Sequence, residues 1–295
     1  MSMLLFCGGR MLPRPCAGWV AALCLLLTSS VVAKEWNQKF ELGFTPFLPV
    51  QAMMQHYEPM RAYLEAQLQE PVTLVTAMDY QTFNERMRGY EYAFVVTVAN
   101  SAYLANTEYG YVPMLRPAIP TRPVLITAKH SKIKNIKGLR GANLALPERL
   151  AVVSMQGLQM LNDAGMQPVR DVQVIYTPNH TAAANFVVSG EANAAIVSDR
   201  ALLQMPSATR NAIRVLQTWD AGAVPGIVFL ASPHVTPERV ARMTQAIIEF
   251  VRQTEPGRGF IKNLGYGDLI PASVEDLAPL APYGVQLKAA LRHAR

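Results

Sequence analysis

Beyond residue 24 the 295-residue chain has no cysteine; its three, Cys7, Cys16 and Cys24, all fall within the first 33 residues. The remainder therefore holds no disulfide and no thiolate ligand, and about 260 residues must be stabilised by their apolar core alone. Charge is scarce, 16% of residues against 51% hydrophobic, which excludes a disordered chain. Lys and Arg (27) exceed Asp and Glu (21) by six, but form no run of five or six, so no dedicated nucleic-acid surface is expected. After the leader no stretch reaches 18 apolar residues, so no further span is expected. The histidines, His56, His130, His180, His234 and His293, include no pair three or four apart, so neither a metal nor any other cofactor is expected. Gly-x-Ser-x-Gly, His-Glu-x-x-His and Walker patterns are missing, and an enzyme is not expected. Ser154, His180 and Asp199, in that order, give a hydrolase its one catalytic reading.

What is present begins with a leader. Arg10 and Arg14 precede the apolar Ala17-Gly-Trp-Val-Ala-Ala-Leu-Cys-Leu-Leu-Leu27, and Thr28-Ser-Ser-Val-Val-Ala33 follows. A basic start, an apolar run of roughly a dozen residues and small residues at the end predict a secretory signal cleaved after Ala33. Ala21-Ala22-Leu23 is a poor lipidation context for Cys24.

The rest alternates short apolar runs with amphipathic stretches, the pattern of α/β units. Phe40–Phe44 reads as a first strand, and Met60, Tyr63, Leu64 and Leu68 share one helix face. Strands at 71–76 and 92–97 flank a helix at 80–88 that ends at Gly89 as its C′ glycine. Four prolines, Pro113, Pro117, Pro120 and Pro123, stiffen an extended connection, the first domain crossing. A second series follows: strands at 124–127 and 142–146, a helix at 150–164, a strand at 172–176, a helix at 181–189 and a strand at 194–197. Two more strands, at 213–217 and 227–230, flank Gly222-Ala-Val-Pro-Gly226, the return crossing. The last third reads as helical, with Thr236-Pro237-Glu238 as a helix start. Two α/β lobes joined by two crossings form a clamshell that takes ligand in its cleft and closes by a hinge. The expected division is a leader at 1–33, lobe I at 34–120 and 223–295, and lobe II at 121–222.

Particular residues carry a resemblance. They run Leu42-Gly-Phe-Thr-Pro46, Tyr57-Glu-Pro-Met-Arg-Ala-Tyr-Leu64, Pro71-Val-Thr-Leu74, Met78-Asp-Tyr80 and Ser101-Ala-Tyr103. Ile136-Lys-Gly-Leu-Arg-Gly141, Asn179-His180, Val188-Ser-Gly-Glu-Ala-Asn-Ala194 and Ser198-Asp199 continue the order. This set resembles the periplasmic phosphate/phosphite/phosphonate-type substrate-binding proteins of ABC transporters, with the type II periplasmic binding fold. The resemblance implies first-lobe ligand contacts from Thr45, Pro46, Tyr80, Asn100, Ser101 and Tyr103. In the second lobe it implies contacts from a helix start near Arg149–Ser154, from His180, and from residues after the 194–197 strand, here Asp199 and Arg200. One element departs: a Pro-x-Ser-x-Ser-Gly pattern in the family is here Pro147-Glu-Arg-Leu-Ala-Val152. The helix dipole and backbone donors remain while the hydroxyls are lost, which points to a different or larger anion held partly by Arg149 or Arg200.

The side chains fit such a task. Arg149 and Arg122 offer forked donors to an oxyanion. Tyr80 and Tyr103 offer hydroxyls and an aromatic wall. Ser101 and Asp199 serve equally as ligand contacts or as helix caps. The expected protein is a monomeric periplasmic binder of a small anionic solute, delivering it to an ABC permease. A sensor of the same build, reporting to a membrane receptor kinase, is the alternative, and a Ser154–His180 hydrolase the third.

Overall fold

The computed structural model describes residues 40–168 and 170–293; the expected leader and its cleavage site lie outside the described residues. In chain order the elements are β1 (Phe40–Phe44), α1 (Val50–Leu68), β2 (Val72–Thr76), α2 (Tyr80–Arg88), β3 (Phe94–Val98), α3 (Ala99–Tyr109) and β4 (Val112–Pro117). Then come β5 (Pro123–Ala128), β6 (Asn143–Leu146), α4 (Val152–Asp163), β7 (Gln173–Tyr176), α5 (His180–Ser189), β8 (Ala194–Ser198), α6 (Asp199–Gln204), α7 (Ser207–Ala212) and β9 (Ile213–Thr218). The chain ends with β10 (Ile227–Ala231), α8 (Pro237–Gln253), α9 (Glu255–Leu264), β11 (Leu269–Pro271), α10 (Val274–Leu277) and α11 (Ala281–His293).

Two sheets result, ordered β11-β4-β10-β3-β1-β2 and β7-β6-β8-β5-β9. Each has the same logic. Three parallel strands, β2-β1-β3 in one and β7-β6-β8 in the other, are joined by helices. Beside them lies an antiparallel strand that arrives from the other sheet, β10 against β3 and β5 against β8. The chain therefore passes between sheets twice, after β4 and after β9. The two passages pair with each other: Thr121 and Val224 exchange both backbone hydrogen bonds, at 2.8 and 2.9 Å. The result is the α/β clamshell with two hinge crossings expected from the sequence.

The inner strands are apolar because helices cover both faces. All five residues of β3, β8 and β10 are buried. In α1 the buried residues are Met53, Tyr57, Met60, Leu64 and Leu68, spaced for one helix face. Each such side chain contributes about 1.5–3 kcal/mol. That burial outweighs Pro59 inside α1, so the helix starts ten residues before the periodic stretch seen in the sequence.

Local details differ from expectation. Gly89 follows α2 with φ −77°, and the left-handed residue is Tyr90 at φ 58°. The Tyr90 ring stacks on Tyr111 and meets His234 edge-on at 4.7 Å, which offsets the backbone cost. The proline-rich stretch starts inside β4, whose Pro113 lies opposite Leu230 at a register shift. The short strand β11 interrupts the helical last third and pairs with β4. The helix expected from Leu150 begins at Val152, so Arg149 stands in the preceding loop.

Candidate functional site

Ligands in open α/β sheets bind beyond the carboxyl ends of the parallel strands. Here those ends are the turn after β1, the residues after β2 and β3, and the starts of α4, α5 and α6. Phe47, Tyr80, Val98, Val152, His180 and Ser198 come from these six places, and all line one cavity. The crossings supply Thr121, Val224 and Gly226, and Tyr266 closes the first-lobe side. The cavity is ≈ 40 Å³, room for about three waters.

The polar groups facing it are few. The N–H groups of Val152 and Val153 open α4 and have no partner among the described residues, whereas Ala151 N–H is taken by the Glu148 carbonyl. These two donors and the helix dipole favour an anion. Asn179 caps α5 through Ala182 N–H, which sets His180 as its first residue. His180 is buried, and its Nδ1 accepts from Ser198 N–H at 3.3 Å. Burial pushes its pKa down to about 4, so the ring is neutral and carries its proton on Nε2, a remaining donor. Tyr80 is buried, and burial with the field of Glu148 pushes its hydroxyl far above the ordinary range, so it too stays neutral.

Among the described residues one cation lines the cavity, and its two terminal nitrogens are engaged. Arg200 donates through Nη1 to the Gly265 carbonyl at 3.0 Å and through Nη2 to Asp199 at 3.4 Å. Gly265 lies between α9 and β11, so this bond ties α6 to elements packed on the first sheet. A second tie spans the opposite rim: Asn100 Nδ2, in α3, donates to the Leu150 carbonyl at 2.8 Å. No Asp or Glu is among the residues lining the cavity. Glu148 sits near its rim with its pKa raised to about 7, by burial first and then by the charge of Asp79.

Of the residues singled out in the sequence, Tyr80, His180 and Arg200 line the cavity. Thr45 and Pro46 are buried beside it; the Thr45 hydroxyl pairs with Thr97 at 2.7 Å, and Phe47 takes the lining position. Asn100 acts on Leu150, Ser101 lies buried within α3, and the Tyr103 ring packs against Gly284. Arg122 holds Asp199 at 3.1 Å and Asp220 at 2.8 Å. Arg149 is exposed. Asp199 accepts from Arg122, and the cap of α6 is Ser198, which accepts from Ala201 N–H. Ser154 Oγ donates to the Pro147 carbonyl rather than to His180, so the trio forms no proton relay. Among the described residues no three His, Cys, Asp or Glu side chains could hold a metal ion together, and no helix is long and apolar enough to cross a membrane.

The sequence reading missed Phe47, Gln156, Gln204 and Tyr266, whereas Val153 falls within the expected helix start at Arg149–Ser154. Tyr266 had a signal, since it stands between Gly265 and Gly267, both of which take positive φ. Phe47 is an ordinary core-type residue, and Gln156 and Gln204 are polar positions on α4 and α6 with no motif around them.

Residues 42–277 match the family of phosphonate periplasmic substrate-binding proteins of ABC transporters. A search of curated proteins found no match. Among solved structures, the binding-protein component of an ABC phosphonate transporter from Pseudomonas aeruginosa superposes with a TM-score of 0.74 at 13% identity, covering 85% of this chain and 88% of that one. PhnD1 from Prochlorococcus marinus, in complex with methylphosphonate, gives 0.74 at 14% identity over 84% and 98%. A Xanthomonas citri protein bound to ATP gives 0.63 at 16% over 85% and 98%. At these identities the structures establish the fold, and the family match covers most of the chain. With residues 42–277 matched, the chain belongs to the phosphonate-type periplasmic substrate-binding proteins of ABC transporters.

Proposed function

We propose that this protein captures a small, singly charged oxyanion carrying an apolar substituent and delivers it to a membrane permease. One observation carries the reading: the free N–H groups of Val152 and Val153 and the neutral His180 ring face a cavity whose other walls are mostly apolar. Two backbone donors, one imidazole and the phenols of Tyr80 and Tyr266 suit a single charge. A dianion is more strongly hydrated, and Arg200, the one lining cation among the described residues, already commits both terminal nitrogens to Gly265 and Asp199, leaving only its buried Nε without a partner. Phe47, Val98, Val224 and Ile227 suit an apolar substituent. The family assignment favours transport over a sensor.

In this reading lobe I is 34–120 with 223–295, lobe II is 121–222, the mature chain starts after Ala33, and it acts as a monomer. Ligand first meets one lobe, and closure adds the other lobe's donors, so bound ligand favours the closed form. Calorimetric titration with methanesulfonate, longer alkylsulfonates, short carboxylates, methylphosphonate and phosphate tests it. Singly charged ligands should bind at least tenfold tighter than phosphate. Tighter binding of phosphate, or binding of none of them, sinks the proposal.

A further inference from the structure

A second concavity lies behind the wall of the ligand cavity. It is ≈ 530 Å³, within the size range of small-molecule sites, and Arg200, Arg252, Arg258 and Lys262 line it together with Asp268 and Gly267. Two of these cations are already paired, Arg252 with Asp268, the one acid in the lining, at 2.9 Å and Arg200 with Asp199 at 3.4 Å, so the uncompensated charge rests on Arg258 and Lys262. Lys262 has no acidic partner among the described residues, and Arg258 reaches only the Arg252 carbonyl, at 3.4 Å. Arg258 and Lys262 stand one turn apart on α9, a like-charge spacing that costs stability. The helix dipoles account for Arg252 and Lys262, in the last turns of α8 and α9, but not for Arg258 or for the hollow they share.

The two cavities share a partition. Arg200 lines both. In the loop after α9, Tyr266 lines the ligand cavity while Gly265 and Gly267 line the basic one. Arg200 comes from α6, next to the second sheet, and the other cations come from α8 and α9, which pack on the first. The basic hollow is therefore complete only when the lobes meet.

We infer that this hollow is a second anion site, taking a multiply charged phosphate-type anion, and that its occupancy favours the closed lobes. A ligand that contacts both lobes binds the closed form better, and linkage makes the effect reciprocal with the cleft ligand. Inorganic pyrophosphate, titrated calorimetrically at constant ionic strength, is the probe. It should bind the wild type and His180→Gln alike, and bind the exposed double variant Arg258→Gln/Lys262→Gln at least tenfold more weakly. Saturating pyrophosphate should also tighten methanesulfonate binding about threefold or more in the wild type and not in the double variant. No binding at millimolar pyrophosphate, equal binding by the double variant, loss of binding in His180→Gln, or unchanged methanesulfonate affinity would each overturn the inference.

Discussion

Asn100 Nδ2 donates to the Leu150 carbonyl over 2.8 Å, joining the start of α3 on one lobe to the loop before α4 on the other. Asn100 is fully buried, and its Oδ1 accepts from Ser101 N–H, so the amide is held in place before the lobes meet. Asn100→Ala leaves the Leu150 carbonyl without this partner only in the closed state. Closure should weaken by about 1–2 kcal/mol, seen as five- to thirtyfold faster ligand release at a nearly unchanged association rate. An unaltered release rate in stopped-flow would show that this bond does not hold the lobes together.

The paired crossings predict a second sensitive position. Gly226 has φ 77°, and a Cβ there would fall 2.2 Å from Thr121 Oγ1 on the other crossing. Gly226→Ala must adopt a left-handed backbone at about 1–2 kcal/mol and also displace Thr121. The urea midpoint should fall and ligand affinity should fall with it. A variant as stable as wild type would contradict the close approach.

Hydroxyls at the start of α4 can be restored. Val153→Ser places an O–H beside the free N–H groups, at a cost of about 1 kcal/mol in lost apolar burial. Methylphosphonate should then bind about five- to tenfold tighter, the worth of roughly one net hydrogen bond. Affinity that stays level or falls would mean that this helix start does not face the ligand's charged head.

His180 predicts an acid-side loss of stability. Its folded pKa of about 4 lies below its ordinary 6.5, so the unfolded chain binds the extra proton. The contribution is complete above pH 6.5 and is lost as pH falls toward 4, on the order of 3 kcal/mol. His180→Gln should remove this slope in urea unfolding measured from pH 4 to 7; a slope equal to wild type would refute the neutral buried ring.

Glu148 acts in the opposite sense. Its folded pKa of about 7 lies above its ordinary 4.5, so its contribution is complete below pH 4.5 and is lost as pH rises to 7. With the partial exposure of this carboxyl, the loss is on the order of 2 kcal/mol. The two groups oppose each other between pH 4.5 and 6.5. Glu148→Gln should therefore expose a steeper rise of stability with pH than wild type shows, and no change in slope would count against the buried carboxyl.

Much of this was legible in the residue order. The buried faces of α1 and α8 and the continuous apolar runs of β3, β8 and β10 are local patterns of period 3.6 or of full burial. Gly190, at φ 85°, stops α5 as its position predicts. Helix starts were less legible: Ser198 rather than Asp199 caps α6, because adjacent polar residues compete for one geometry, and α4 starts two residues late, after Ala151, which offers no side-chain cap to mark it. Strands β4 and β11 were hidden, since prolines are read as breaks and these two hold their prolines near the edge of a sheet.

Local periodicity and composition determined that the chain is an α/β protein with an expected leader and two crossings, while the candidate donors near strand ends came from the family resemblance of its residues. Only the tertiary structure decided that His180 and Tyr80 face one cavity, that Arg149 faces solvent, and that Arg122 and Arg200 both bind Asp199. The reason is physical. Whether a residue is buried on its own element depends on neighbours three or four positions away. Whether it meets a ligand depends on how the crossings, paired at Thr121 and Val224 more than a hundred residues apart, set the two sheets against each other.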